Sequence, residues 1–85
     1  PMPHLKTITY GIDNPADITA RDIVLHPEYS HFVVFEKGKE LGPVTLNMPG
    51  KHNILNALAA IAVTRDLEIP FSTTTKALHN FQGVE

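Results

Sequence analysis

The chain has 85 residues, of which 42% are hydrophobic and 19% charged, and its formal net charge is −2. A chain of this length forms at most one small domain with a single modest core, and its composition is ordinary for a soluble globular protein. The weak negative charge gives no electrostatic reason to expect nucleic acid or an anionic membrane as a partner, and the absence of cysteine excludes disulfides, thiolate metal sites and a cysteine nucleophile.

The two ends of the chain favour a piece cut from a longer protein. The sequence begins with Pro1 rather than an initiator methionine, and it stops shortly after Gly83, a residue typical of a helix end. No basic start leads into an apolar segment, as a signal peptide requires, and the longest apolar run, residues 54–63, is too short to span a bilayer.

Residues 1–11 contain the first predicted element, a short strand in the stretch KTITYG that ends at Gly11. A turn signal, Asp-Asn-Pro, follows it. Residues 17–48 then predict a three-stranded antiparallel meander. The first strand of the meander, DITARDIVL, changes its alternation near Arg21 and Asp22, which predicts a β-bulge.

The other two strands of the meander predict a hairpin. The stretch HFVVFE at residues 31–36 is apolar on both faces, so we expect both faces of this strand to be covered. The stretch PVTLNM at residues 43–48 places its apolar residues on one face. The residues between these stretches, which include Gly38, predict a loop of several residues.

Residues 51–85 predict the helical part of the chain, because the spacing of apolar residues changes at Gly50 from a period of 2 to one of 3.6. The first helix should run from about Lys51 to Leu67, and a face of small residues lets another backbone approach closely. Ser72 predicts the N-cap of a second helix that Gly83 closes. From these patterns we expect a core that includes Phe32, Val34, Leu46, Leu55, Leu58 and Ile61.

The pair Gly50-Lys51 resembles the end of a phosphate-binding loop, but the rest of that loop is missing. A phosphate loop has the pattern G-x-x-x-x-G-K-[ST], in which the first glycine allows the turn and the final hydroxyl binds magnesium. Thr45 stands at the first glycine position here, and His52 follows the lysine. Gly50 is therefore interpreted as a glycine of the turn between a strand and a helix.

His52, Asn53 and Asn56 form the most informative polar group in the chain. Asn53 and Asn56 are three residues apart, so they share one face of the first helical turns. One asparagine alone is best explained as a cap or a packing compromise. Two asparagines beside an apolar stripe favour a ligand, because a carboxamide is complementary to the N6/N7 edge of adenine. An adenine-reading site and a structural role both stay open on these residues alone.

The remaining polar residues predict no catalytic or metal site. The other histidines show no metal-ligand spacing with a carboxylate, and the acidic residues are scattered through predicted loops and strands. The sequence also lacks a Ser/His/Asp arrangement and a glycine-rich phosphate cradle. We therefore predict no catalytic residues and no metal ligands within these 85 residues.

Five stretches, taken in order, resemble the central domain of the Mur ligases: TITYG, ADITARDI, HFVVF, GPVTLNMPGKHNILNALAAIAV and ALHNFQGVE. The resemblance covers essentially the whole chain, and the P-G-[KR]-H-N-x-x-N-A core is specific to this superfamily. It implies that residues 1–85 are the latter part of a central ATP-binding domain. The fold class is then an α+β fragment of an α/β domain, with a short strand, a three-stranded meander and two helices.

The resemblance also implies a function for the whole protein. The TYG…AD spacing and the FQGV ending favour the family branch that joins L-alanine to UDP-N-acetylmuramate. The resemblance implies that this reaction hydrolyses ATP in the presence of Mg²⁺ and proceeds through an acyl-phosphate intermediate. His52, Asn53 and Asn56 match the H-N-x-x-N positions that lie against adenine in relatives. The enzyme should be cytoplasmic, and the remaining domains of the same chain should be partners of this piece. The resemblance places the family's phosphate-binding loop upstream of this piece and an arginine pair downstream of it, and the magnesium-binding Glu and His also lie outside it. The isolated piece should be inactive and hold no cofactor tightly.

Three alternatives stay open. One is the sister ligase that recycles murein tripeptide, and a more distant one is the folylpolyglutamate synthases. The third is a free-standing, non-catalytic interaction module in which the asparagines only cap the helix. A reading frame that extends upstream to a phosphate-binding loop would favour the ligase over the module.

Overall fold

A computed structural model describes residues 8–13 and 15–81 of the chain. The elements are β1 (Tyr10–Gly11), β2 (Ile18–Leu25), β3 (Ser30–Glu36), β4 (Lys39–Leu46), α1 (Lys51–Asp66) and α2 (Phe71–Asn80). The strands form one sheet in the order β1-β2-β3-β4, in which β1 is parallel to β2 and the other pairs are antiparallel. The predicted order of a short strand, a three-stranded meander and two helices is confirmed.

The short parallel strand β1 is attached to the start of β2 by local hydrogen bonds. The Ile18 amide donates to the Thr9 carbonyl at 2.9 Å, the Asp17 amide donates to Thr9 Oγ1 at 2.9 Å, and the Thr9 amide donates to Asp17 Oδ2 at 3.1 Å. Parallel strands usually need a long crossover connection. Here β1 pairs with β2 over only two residues, and only six residues separate the two strands in the sequence. Residues 1–7 of the predicted strand lie outside the described residues.

The predicted bulge in β2 is confirmed, but the predicted loop between β3 and β4 is wrong. The register of β2 on β3 shifts between Arg21 and Val24, and Asp22 has a φ of 54°. The β3–β4 turn has only two residues, Lys37 and Gly38, whose φ values of 50° and 82° are those of a type I′ hairpin turn. The register of β4 on β3 shifts between Val34 and Phe35. This shift interrupts the alternation of apolar and polar residues along β4, so the sequence pattern does not show where the strand begins.

Strand β3 is fully covered on one face only, so the predicted burial of both faces is wrong. Phe32 and Val34 point into the core and are fully buried. Val33 and Phe35, on the other face, are half-buried. The Arg21 guanidinium lies 4.2 Å from the centre of the Phe35 ring, so a cation–π contact replaces a second packed layer at that position.

The core lies between the sheet and α1. Its buried residues are Ile18, Ala20, Phe32, Val34, Val44, Leu46, Ile54, Ala57, Leu58, Ile61 and Ala62. Five of the six predicted core residues are therefore confirmed. The prediction for Leu55 is wrong: Leu55 is half-buried, because the line of α1 that meets the sheet runs through Ile54, Leu58 and Ile61 and leaves Leu55 at its margin.

The end of α1 is a Schellman motif, in which a left-handed residue closes the helix. The Glu68 amide donates to the Arg65 carbonyl at 3.1 Å and the Ile69 amide donates to the Thr64 carbonyl at 2.9 Å, while Glu68 has a φ of 61°. These bonds satisfy carbonyls that the last helical turn leaves without partners.

The start of α2 differs from the sequence prediction. Pro70 occupies the N-cap position, and its carbonyl accepts hydrogen bonds from the amides of Thr73 and Thr74. Ser72 is therefore inside the helix and is not its N-cap, because the fixed φ of Pro70 lets the helix begin at Phe71. The helix ends at Asn80, and Gly83, the predicted end, lies outside the described residues.

We expect Glu68→Gly to stabilise the fold by about 1 kcal/mol, because glycine adopts positive φ without the steric cost that a Cβ brings. Loss of the carboxylate near the C-terminal end of α1 acts in the same direction. Glu68→Ala separates the two effects, since alanine removes the charge and keeps the Cβ. Urea denaturation measures all three proteins, and a glycine variant no more stable than the alanine variant would refute the backbone explanation.

Candidate functional site

A cleft of about 360 Å³ opens where the end of β4 meets the two helices. Leu46 and Met48 line it from the sheet side. Asn53, Asn56, Ala57 and Ala60 line it from α1, and Leu78 and Phe81 line it from the end of α2. The cleft is thus mostly apolar with two carboxamides, and its volume lies within the roughly 300–1,000 Å³ typical of small-molecule sites.

Gly50 positions the start of α1 at the edge of this cleft. It is the N-cap residue, with a φ of 100° that favours glycine, and no side chain of the described residues caps the helix here. The interpretation of Gly50 as a glycine of the strand-to-helix turn is confirmed. Lys51, which follows it, forms an exposed ion pair with Asp13 at 2.9 Å. This ion pair links the loop after β1 to the helix start, but a pair this exposed contributes little to stability.

Asn53 is half-buried, and its side chain supports the turn that precedes the helix. Its Nδ2 donates to the Pro49 carbonyl at 2.7 Å, and its amide donates to the Gly50 carbonyl at 3.1 Å. Asn53 is therefore not the N-cap of α1, which is Gly50. The hydrogen bond fixes the orientation of the Asn53 carboxamide in the cleft wall.

Asn56 is the more accessible of the two asparagines. It is exposed, it lines the cleft, and its carboxamide makes no hydrogen bond to any other residue that the structure describes. A structural role through hydrogen bonding therefore has no partner among the described residues. His52 is also exposed, but it is not among the residues that line the cleft. The structure thus brings Asn53 and Asn56 together and leaves His52 beside them on the outer side of the helix start.

Hydrogen bonds between the elements hold the walls of the cleft. Thr74 in α2, which is buried, is 2.9 Å from Thr64 in α1 through their hydroxyls. Asn47 Nδ2, just after β4, donates to the carbonyl of His79 in the last turn of α2 at 2.6 Å. The first bond therefore connects the two helices, and the second connects the last turn of α2 to the end of β4.

The sequence predicts the two asparagines as site residues but not the rest of the cleft. Leu78 and Phe81 lie in the stretch that the sequence predicts only as the second helix, and Met48 lies in the stretch predicted only as a strand. The one available signal was that Phe81 is a large apolar residue close to a helix end. Their meeting with Asn53 and Asn56 depends on how α2 packs, which helical periodicity alone does not predict.

The cleft offers apolar surface together with the carboxamides of Asn53 and Asn56. Among residues 8–13 and 15–81 no three His, Cys, Asp or Glu side chains lie close enough to hold a metal ion. In the same residues no helix has the length and hydrophobicity needed to cross a membrane.

Comparison with known proteins relates this chain to one family. Residues 2–64 match the family model of the Mur ligase middle domain. The chain is 54% identical over 77 residues to the UDP-N-acetylmuramate–L-alanine ligase of Dictyoglomus turgidum, which covers 91% of this chain and 16% of that protein. It is 47% identical over 85 residues to the ligase of the same name in Geobacter sp. strain M21, covering 98% of this chain and 18% of that protein.

Two solved structures share the fold. The UDP-N-acetylmuramate–alanine ligase MurC of Thermotoga maritima superposes with a TM-score of 0.86 at 32% identity, over 96% of this chain and 19% of that one. MurF of Acinetobacter baumannii superposes with a TM-score of 0.81 at 28% identity, over 92% of this chain and 17% of that one. The chain thus spans less than a fifth of the length of each of these relatives.

Proposed function

Because the chain belongs to the Mur ligase family and matches its middle domain, we propose that it is part of an ATP-dependent ligase that joins L-alanine to UDP-N-acetylmuramate. The product of this reaction is a precursor of peptidoglycan. The curated relatives of both Dictyoglomus and Geobacter carry the name of the alanine ligase, which supports this branch over the murein-tripeptide ligase. The protein acts in the cytoplasm, where its nucleotide substrates are found.

Within that ligase, this segment forms the adenine side of the ATP site. The observation that carries the proposal is Asn56: an exposed carboxamide, without a hydrogen bond to the described residues, in the wall of an apolar cleft. An asparagine can accept a hydrogen bond from adenine N6 and donate one to N7. The apolar walls suit the faces of the base, and the small residues Ala57 and Ala60 allow it to approach α1 closely.

Asn53 and His52 have secondary roles in this arrangement. Asn53 already donates to the Pro49 carbonyl, so its oxygen is the atom that can accept from the base. His52 lies beside the cleft and not in its wall, so any contact it makes would be at the rim of the nucleotide site.

The phosphates and Mg²⁺ of ATP need groups that these residues do not provide. The described residues hold no cluster of metal-ligating side chains, and the sequence has no complete phosphate-binding loop. Catalysis of amide formation with an acyl-phosphate requires such groups to stabilise the charge on the transferred phosphoryl group. We therefore assign the phosphate and Mg²⁺ sites to other parts of the longer protein.

We expect the full-length protein to release phosphate from ATP only when both L-alanine and UDP-N-acetylmuramate are present. The isolated 85-residue chain should stay at background under the same conditions, because it binds at most the base. A phosphate-release assay with Mg²⁺ measures both proteins.

Substitution of murein tripeptide for L-alanine tests the branch of the family. Turnover with the tripeptide and none with L-alanine would replace the proposed substrate by that of the recycling ligase. Turnover by the purified 85-residue chain would contradict the assignment of catalysis to the rest of the protein.

A further inference from the structure

Phe81 is a large aromatic side chain that lines the cleft and lies outside the hydrophobic core. It is 51% exposed and it lines the cleft together with Asn53 and Asn56. It belongs neither to the buried core nor to the half-buried side chains that pack on the core. A single exposed phenylalanine is common on protein surfaces. Phe81 differs from such a residue because it lines a cleft together with the carboxamides of Asn53 and Asn56.

The backbone around Phe81 is held in place. Phe81 follows the last residue of α2 and leaves the helix with an extended conformation, φ −74° and ψ 133°. Its amide still donates to the Leu78 carbonyl at 3.2 Å. Asn47 donates to the neighbouring carbonyl of His79 at 2.6 Å, which connects this turn to the end of β4. The backbone next to the Phe81 ring therefore makes hydrogen bonds both within α2 and to the end of β4.

We propose that Phe81 stacks on the face of the bound adenine. This inference rests on the proposed function, in which Asn56 contacts the edge of the same base. Edge contacts fix which base enters, while an aromatic face supplies affinity, since every base has a π-face that can stack. The ring comes from the end of α2, whereas Asn56, Ala57 and Ala60 come from α1. The two helices therefore supply different kinds of contact to one ligand.

The test measures the dissociation constants of substituted full-length proteins by calorimetry. The probes are a non-hydrolysable ATP analogue, ADP and inorganic tripolyphosphate. We expect Phe81→Ala to raise the dissociation constants of both nucleotides about 5- to 150-fold, the range for alanine substitution at base-stacking residues. Tripolyphosphate binding should not change, because this probe lacks the base.

The side chains that replace Phe81 separate stacking from simple apolar packing. We expect Phe81→Tyr to bind the nucleotides nearly as wild type, and Phe81→Leu to bind them several-fold more weakly. Phe71→Leu is the matched control, because Phe71 packs on the core, is half-buried and does not line the cleft. That substitution should lower the melting temperature and leave the dissociation constants as they are.

Each outcome distinguishes this inference from the proposed function. If Phe81→Leu and Phe81→Ala bind the nucleotides as wild type while Asn56→Ala binds them weakly, the base enters the cleft without stacking and only the inference about Phe81 fails. If Asn56→Ala also binds as wild type, the adenine assignment fails as well. If Phe81→Ala weakens tripolyphosphate as much as ATP, Phe81 acts through the shape of the whole site, and stacking is refuted.

Discussion

Leu58→Ala should destabilise the fold by about 2–5 kcal/mol, the range for a leucine removed from a well-packed core. Leu58 is fully buried on the face of α1 that meets the sheet. Truncation removes apolar contacts and leaves a cavity that the strands cannot fill without distorting the sheet. A domain of this size is only marginally stable, so a loss at the upper end of this range would abolish folding of the isolated chain.

Leu67→Ala is the matched control for this substitution. It removes the same atoms, but Leu67 is 63% exposed at the C-cap of α1. We expect its effect to stay within about 0.5 kcal/mol. Urea denaturation of the chain, or thermal melting of the full-length protein, measures both variants. Equal unfolding midpoints for the Leu58→Ala and Leu67→Ala variants would show that α1 does not pack on the sheet through Leu58.

Asn56→Ala should weaken binding of ATP by the full-length enzyme by about 1–3 kcal/mol, by analogy with asparagine–adenine pairs in DNA recognition. The N6/N7 edge of the base loses its partner in a cleft whose other walls are mainly apolar. The loss should appear in the Michaelis constant for ATP more than in turnover, because the base does not move while the phosphates react.

Asn56→Asp separates the two hydrogen bonds of the carboxamide. A carboxylate can still accept from adenine N6, but it cannot donate to N7. We therefore expect no rescue by aspartate, as judged from the same steady-state kinetics. A wild-type Michaelis constant in Asn56→Asp would mean that the donor of Asn56 makes no contact with the base.

The order of the elements was predictable because the sequence marks each change of period. Gly50 separates alternating residues from helical ones, and Pro70 separates the two helices. The length of the turn at Lys37 and Gly38 was harder to predict than the order of the elements. A non-glycine residue with positive φ is uncommon, and nothing in the local sequence besides Gly38 indicates a two-residue turn.

The choice of the buried face of α1 also needed the tertiary structure. Ile54 and Leu55 are adjacent and equally apolar, so either can belong to a broad stripe. The sheet selects Ile54 because the helix packs along the line through Leu58 and Ile61. The same limit applies to the candidate site: the spacing of Asn53 and Asn56 predicts one face, but the walls contributed by β4 and α2 come from packing across the chain.

The measurement that tests the adenine assignment most directly is calorimetric titration of wild type and Asn56→Ala with a non-hydrolysable ATP analogue. UDP-N-acetylmuramate serves as the control ligand, because its site lies elsewhere in the longer protein under the proposed function. We expect the variant to bind the analogue about 5- to 150-fold more weakly and the UDP-sugar as tightly as wild type. Equal affinity of both proteins for the analogue would contradict the assignment of this cleft to adenine.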